Sequence, residues 1–563
     1  MPAVPGPRGD PSFGDSRSPF SEKSLRAYVR ASKSFDNLIA LANDRERWDN
    51  MKAGAKKVMW RDVGEPPIPI DNFQECLEHA LRGGIRAGLL AGAIRAGVNI
   101  FLLLFKILRK PKSFRTPLVL RALFGTDTLR FGAMLASFAF IYKFILNALP
   151  LTPVPDRLVI LRSKKKLLDM EATLETPDDN LSTGQQTPLT IHSKKHPESK
   201  RGHLSLHSEI VYSRLDGARW HAVLAGALAG LSVLWEKKSR RITIAQQIFV
   251  RGLQGVWNAW SPRLGIEMPF GPVIVFSLAC GQIMYAFLLR PETIPQSYND
   301  WILRASKVWP ETMEINRELV RNGKFDLPKF KTLLSRPGNT KRNQEALNNI
   351  WEHAVKGDFM GRQNGTCQMI HPWLDSCIRV EIERFVSVWT WMFPIYGALH
   401  FIPMILFKRR LFMKEPLAML LKSLKGTMRS STFLGIFVNI YQSILCAKNK
   451  LYDSQWAANN LSPQMRSVLI SRFSFWLLGA MCALALFIEE SRRRAELAMY
   501  VLPKGLESAW SMMRNRGYVP FIPWGESVLS AVAMGMVMST YQNDPHHLSG
   551  LVRRVLYQFI GPN

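Results

Sequence analysis

Six stretches of this chain run for about 16 to 23 residues without one charged side chain, and no other sequence feature restricts the fold as tightly. They cover 220–235, 268–289, 386–407, 430–447, 473–488 and 527–543. Crossing a hydrocarbon core of ~30 Å takes ~20 apolar residues in a helix, and only helices or closed barrels satisfy their backbone groups in lipid. The shortest stretches depend on flanking Lys and Arg that snorkel to the interface. Two further candidates are interrupted: 83–108 by Arg86 and Arg95, and 131–149 by Lys143. A soluble helical array can bury one such stretch. Six in one chain, with Trp, Arg and Lys at their ends, point to an all-α polytopic membrane protein.

Composition supports this reading once its segregation is seen. A mean hydropathy of −0.04 looks soluble, but apolar residues gather into windows and charge lies between them. Lys and Arg number 74 against 44 Asp and Glu, a net +30. Such a balance draws a protein to anionic lipid or nucleic acid. The basic residues flank the windows and form no patch interleaved with exposed aromatics, so anionic lipid is the expected partner and nucleic acid is not. Six scattered cysteines exclude a disulfide framework. The start, MPAVPGPRGDPSFGDS, has no apolar run, so no cleaved secretory signal is expected there.

The chain divides into a disordered tail and amphipathic segment (1–70), a first membrane repeat (71–310) holding a disordered polar loop (151–210), a polar connector (311–365), a second membrane repeat with a Cys/His entry segment (366–545) and a C-terminal tail (546–563). The repeats are read from internal similarity. Aligning Gly226 with Gly479 also brings Glu236 onto Glu489, Arg240 and Arg241 onto Arg493 and Arg494, Gly252 onto Gly505 and Trp257 onto Trp510. The offset is constant (479 − 226 = 253 and 510 − 257 = 253). ASFAFIYKFIL resembles GIFVNIYQSIL upstream, and Gly281, Met284 and Pro291 pair with Gly535, Met538 and Pro545 downstream. The expectation is a tandem duplication of a Gly-rich bundle, with about four spans and one amphipathic helix per half.

Several residues within this frame carry candidate chemistry. Gly84, Gly88 and Gly92 lie four apart, as do Gly226 and Gly230, a spacing that lets helix backbones pack closely in lipid. Arg86 and Arg95 are costly at membrane depth and read either as a substrate path for an anion or as interfacial residues. Glu236 with Arg240 and Arg241, and Glu489 with Arg493 and Arg494, close the third segment of each half. A structural anchor, with Glu pairing Arg four positions on, is the favoured reading. CQMIHPWLDSC brings Cys367, His371 and Cys377 together. They could bind zinc, but the only local fourth donor is Asp375, so a redox thiol pair or simple packing is favoured. No metal, cofactor or catalytic constellation is expected, and no phosphate loop, dinucleotide fingerprint or nucleophile elbow occurs.

The second half resembles the cysteine-rich region of the transmembrane protein 135 family through Cys367, His371, Pro372 and Cys377, followed by Ile488, Glu489, Ser491, Arg492 and Arg493. The first half, with FGAMLASFAFIYK and LAGALAGLSVLWEKKSRR, is similar to that family's other half. The likeness covers about 75–310 and 365–545, with the halves in swapped order. More distantly, the Gly-rich spans resemble the channel subunits of the mitochondrial inner-membrane import translocase. The resemblance implies a peroxisomal membrane, with a mitochondrial membrane as the alternative, and a role in organelle and lipid homeostasis. The resulting expectation is a non-enzymatic organelle membrane protein that scaffolds or translocates, with membrane-protein partners or a second copy of itself. A transporter for an anionic metabolite or lipid is the alternative, and an enzyme using Cys367, His371 and Cys377 comes third.

Overall fold

The computed structural model describes residues 70, 72–107, 112–151, 219–357, 365–407 and 409–561. Apart from residues 70 and 151, the expected N-terminal segment (1–70) lies outside them, as does the polar loop up to 210. No strand occurs among the described residues. In chain order the helices begin with α1 (Phe73–Ile107), α2 (Lys112–Phe124), α3 (Thr126–Leu151), α4 (Arg219–Gly230), α5 (Lys238–Trp260) and α6 (Gly271–Leu289). Short helices follow: α7 (Gln296–Ser306), α8 (Pro310–Asn322), α9 (Leu327–Leu334), α10 (Lys341–Val355) and the single turn α11 (Cys367–Ile370). Then come α12 (Cys377–Phe407), α13 (Arg409–Lys414), α14 (Pro416–Asp453), α15 (Gln455–Asn460), α16 (Pro463–Ile470) and α17 (Arg472–Met481). The chain closes with α18 (Ser491–Asn515), α19 (Gly525–Asn543) and α20 (Gly550–Phe559).

Five stretches are long and apolar enough to cross a membrane: Phe73–Leu103, Arg115–Leu151, Gly271–Leu289, Cys377–Ile405 and Pro416–Asp453. Pro463–Ile470 and Arg472–Ile488, bent by 63°, make a sixth if taken as one broken span. Only 11% of the Cys377–Ile405 window is buried inside the protein, and Ile378, Ile382 and Leu399 stand out from α12. An apolar face that long is costly in water and at home in lipid. By length and composition these helices are compatible with an integral membrane protein. Eight spans were expected; with the bent pair counted as one, two windows account for the shortfall. α4 has 12 residues, ~18 Å of rise, before it tightens into the 3-10 turn Leu231–Trp235. α19 has 19 residues, but Ser527, Ser530, Ser539, Thr540, Gln542 and Asn543 interrupt its apolar surface.

The described residues form two compact units, one holding those of 70–151 and 551–561, the other those of 219–550. The expected first repeat (71–310) is therefore shared, with α1–α3 in one unit and α4–α6 in the other. In the first unit α1 packs along α3. A β-carbon at Gly84 would lie 3.0 Å from the Ala136 oxygen, and one at Gly88 2.9 Å from the Ala136 β-carbon. Gly92, grouped with these two by spacing, has nothing near its β-position. Four residues exceed one helical turn by about 40°, so the row rotates off the contact as it climbs. Lys143, fully buried on α3, lies 2.8 Å from His79 Nε2.

In the second unit the helices interlock over long sequence distances. α4 and α5 pack on α19, whereas α17 and α18 pack on α6. A β-carbon at Gly226 would meet the Met534 oxygen and the Met538 β-carbon, both at 2.7 Å. One at Gly479 would meet the Met284 β-carbon at 2.7 Å and the Cys280 oxygen at 2.8 Å. Gly230 is as tight, 2.7 Å from the Ser530 oxygen. Phe270 and Trp524 both start their helices in the left-handed region, at φ 56° and 57°; their positions differ by 254 (524 − 270 = 254). α5 and α18 are amphipathic and charged, as expected of the fourth segments.

The stretch expected to be a polar connector is folded. Ile315, Phe330, Leu333, Leu347, Ile350 and Met369 form a closed apolar core among α8–α11. Asp326 and Thr340 accept from backbone N–H groups of Lys329 and Asn343 and cap α9 and α10. Three short amphipathic helices, each contributing one or two large residues, look polar on average yet bury a shared face. Arg317 of this layer donates to the Leu288 oxygen at 3.1 Å and supplies the orphan carbonyls at the end of α6.

Candidate functional site

Among the described residues, a cluster of thiols and an imidazole lies where the folded connector enters α12. Cys367 opens α11, and that turn stops at His371 (φ −139°, ψ 65°) because Pro372 disfavours helical geometry in the residue before it. The chain doubles back and Cys377 starts α12. His371 is 2% exposed; its Nδ1 sits 2.9 Å from the Leu374 oxygen and its Nε2 3.5 Å from Cys377 Sγ. From α14, Cys446 completes a group of four whose ligand atoms all lie within 4.8 Å of one another. The Cys446 thiol hydrogen-bonds to Cys367 and holds its thiol well below the usual range; burial opposes this, and His371 and Asn449 reinforce it.

The loop carrying these donors is pinned from several sides. Asn343 Nδ2 donates toward the oxygens of His371 (3.5 Å), Pro372 (3.2 Å) and Leu374 (3.1 Å). Thr312 Oγ1 donates to the Met369 oxygen at 2.8 Å, and the buried Arg384 to the Ile370 oxygen at 3.3 Å. Asp375, the fourth donor suggested by spacing, bonds Thr340 Oγ1 and belongs to the cap of α10. Cys446 was missed because it lies 69 positions past Cys377 (446 − 377 = 69), inside an apolar window where a thiol reads as a small hydrophobe.

A second recurring arrangement closes the two 3-10 turns. Glu236 is 1% exposed, with Arg240 Nη1 at 3.2 Å, while Arg241 donates to the Leu234 and Glu236 oxygens at 2.8 Å each. Glu489 is 2% exposed, with Arg493 Nη1 at 3.5 Å, while Arg494 donates to the Phe487 oxygen at 2.9 Å and the Glu489 oxygen at 3.0 Å. Each Glu faces the Arg four positions on, and both carboxylates are buried. Glu489 also accepts from Ser430 Oγ at 2.7 Å, whereas the Glu236 carboxylate has only the electrostatic contact. Each second arginine supplies carbonyls left open where a helix ends.

No protein-family model matches the chain, and no solved structure matches it significantly. The site therefore rests on its own geometry. Arg86 and Arg95 sit half-buried on α1, and Arg95 Nε makes no hydrogen bond. They belong to the first unit, and the thiol and imidazole cluster to the second. An apolar cavity in the second unit is lined by Met284, Phe287, Tyr441, Leu445 and Phe475 among others.

Proposed function

We propose that this chain is a non-enzymatic organelle membrane protein, peroxisomal or mitochondrial, that scaffolds or translocates within the bilayer and serves lipid and organelle homeostasis. The observation that carries the scaffold reading is the interlocking of α4 and α5 with α19, and of α17 and α18 with α6, with glycines too close to tolerate a side chain where α4 meets α19 and α17 meets α6. Close backbone approach holds such helices rigidly together whether or not each crosses the bilayer, and for those that do it replaces apolar burial as the source of association. Duplication of one ancestral half is part of this proposal. It is supported by matched contacts (Gly226 on Met538, Gly479 on Met284), the paired left-handed caps and the twice-built Glu–Arg closures. Exposed Lys237, Lys238 and Arg492 beside these closures suit anionic lipid headgroups. The organelle assignment rests on the likeness to the transmembrane protein 135 family alone.

Co-imaging a chain tagged within 170–195 against peroxisomal and mitochondrial markers tests the organelle. Peroxisomal signal is expected, mitochondrial signal moves the protein to the alternative membrane, and signal in neither sinks the assignment. A transporter for an anionic metabolite or lipid is the second reading, favoured by Arg95, whose Nε is buried without a hydrogen bond inside a candidate span. Anion flux into vesicles reconstituted with the protein, abolished by Arg95→Ala, would favour transport over scaffolding. Vesicles that stay tight support the scaffold.

A further inference from the structure

We propose that Cys367, His371, Cys377 and Cys446 form a structural zinc site that ties the folded connector to the ends of the spans α12 and α14. Four donors from separate stretches converge with ligand atoms within 4.8 Å of one another. Zinc takes sulfur at about 2.3 Å and imidazole nitrogen at about 2.0–2.1 Å. Tetrahedral geometry at those lengths sets the sulfurs about 3.8 Å apart, so small side-chain rotations close the cluster onto an ion. Three sulfurs and one nitrogen suit a borderline-soft ion, and the set offers none of the oxygen donors that magnesium and calcium require.

The surroundings are those of a built site. The Leu374 oxygen accepts from Nδ1 of His371, which fixes the tautomer and leaves the Nε2 lone pair facing the thiols. Hydrogen bonds from Asn343, Thr312 and Arg384 hold the carbonyls of the ligand loop, so the donors are placed before an ion arrives. Three thiolates and a divalent ion leave one negative charge. The buried Arg384 guanidinium, stacked 5.7 Å over Trp373, faces Cys446 as well as Glu381 and supplies positive charge beside the site. With all four positions taken by protein, no place remains for water or substrate, which makes the site a staple and not a reaction centre. Its position fits that role. Cys377 is the first residue of α12, Cys446 lies near the end of α14, Cys367 opens α11 and His371 caps it, and Met369 of that turn enters the connector core.

The test is the metal content of the full chain, purified in detergent without chelators. One zinc per chain is expected in the wild type and in Cys76→Ser, whose cysteine is not one of the four clustered donors, and its loss is expected in Cys446→Ser and Cys377→Ser. Cys446→His keeps a ligand and should restore zinc, which separates loss of a donor from loss of the fold. Cobalt exchanged into the wild-type protein should give the intense visible absorption of a tetrahedral thiolate complex. Three results would each overturn the proposal: folded wild-type protein that holds no stoichiometric zinc and takes up no cobalt, a disulfide mapped between two of the three cysteines, or undiminished zinc in Cys446→Ser.

Discussion

Substituting alanine at Gly226 and at Gly92 should change stability in opposite directions. In a helix alanine gains up to about 1 kcal/mol over glycine from backbone entropy alone. At Gly92 the new methyl meets nothing, so that gain stands. At Gly226 it would lie 2.7 Å from the Met534 carbonyl oxygen and 2.7 Å from the Met538 β-carbon. Carbon contacts are comfortable at about 3.5–4.0 Å, and a backbone oxygen cannot swing aside as a side-chain tip can. α4 and α19 must therefore part by roughly 1 Å to restore that separation. Overpacking of this kind costs about 1–3 kcal/mol, which outweighs the entropic gain and leaves a net loss of about 0.5–2 kcal/mol. Thermal unfolding in detergent, followed by tryptophan fluorescence, should show a transition lowered by ~1–4 °C for Gly226→Ala. The Gly92→Ala transition should be unchanged or raised. Equal stabilisation by both substitutions would refute the close approach of α4 and α19.

Replacing Glu489 by Gln should destabilise more than Glu236→Gln, because Glu489 accepts from Ser430 as well as facing Arg493. Breaking a buried pair costs up to about 3–5 kcal/mol, and with Arg493 a third exposed the difference expected in detergent melts is nearer 1–2 kcal/mol. Phe330→Ala removes a fully buried ring from the connector core and should cost about 3–5 kcal/mol locally. Limited proteolysis would then cut within 324–356 while the chain stays in the membrane; an unchanged digest would count against a folded connector. Asn343→Ala removes a shared donor from three carbonyls of the ligand loop, which keep only the His371 ring and the backbone N–H groups of Thr340 and Leu374, at about 0.5–1.5 kcal/mol. Faster amide exchange over 367–377 should follow, and with it a 10- to 100-fold weaker hold on zinc, the usual effect of losing an outer-shell partner.

Much of this was written locally in the chain. Window length and the absence of charge marked the apolar helices, because the backbone in lipid has few options. Spacing of four placed Gly84, Gly88, Gly226 and Gly230 at helix contacts, and failed at Gly92, where the row had turned away. CQMIHPWLDSC displayed three of the four clustered donors, since the turn that gathers them is enforced by Pro372. Other features depend on chain topology, which local pattern does not encode. Cys446 arrives from another span, and no spacing rule links positions 377 and 446. The packing of α19 against α4 and α5 joins segments about 300 residues apart (530 − 230 = 300), a pairing seen in the structure where Gly226 meets Met538 and Ser530 donates to the Gly230 oxygen. The connector looked polar because its apolar residues are shared among helices of 8 to 15 residues, too short to give a long periodic signal. Span number was overcounted because absence of charge was weighed above length and polar content, which α4 and α19 lack and carry respectively.

The central claim, that these helices lie within a bilayer, is tested most directly by alkaline carbonate extraction of membranes from cells expressing the full chain. A protein whose five apolar helices cross the membrane stays in the pellet at high pH and enters solution only with detergent. Release of the intact chain into the carbonate supernatant would mean that these helices bury their apolar faces against protein, and would contradict the membrane fold and the scaffold function built on it.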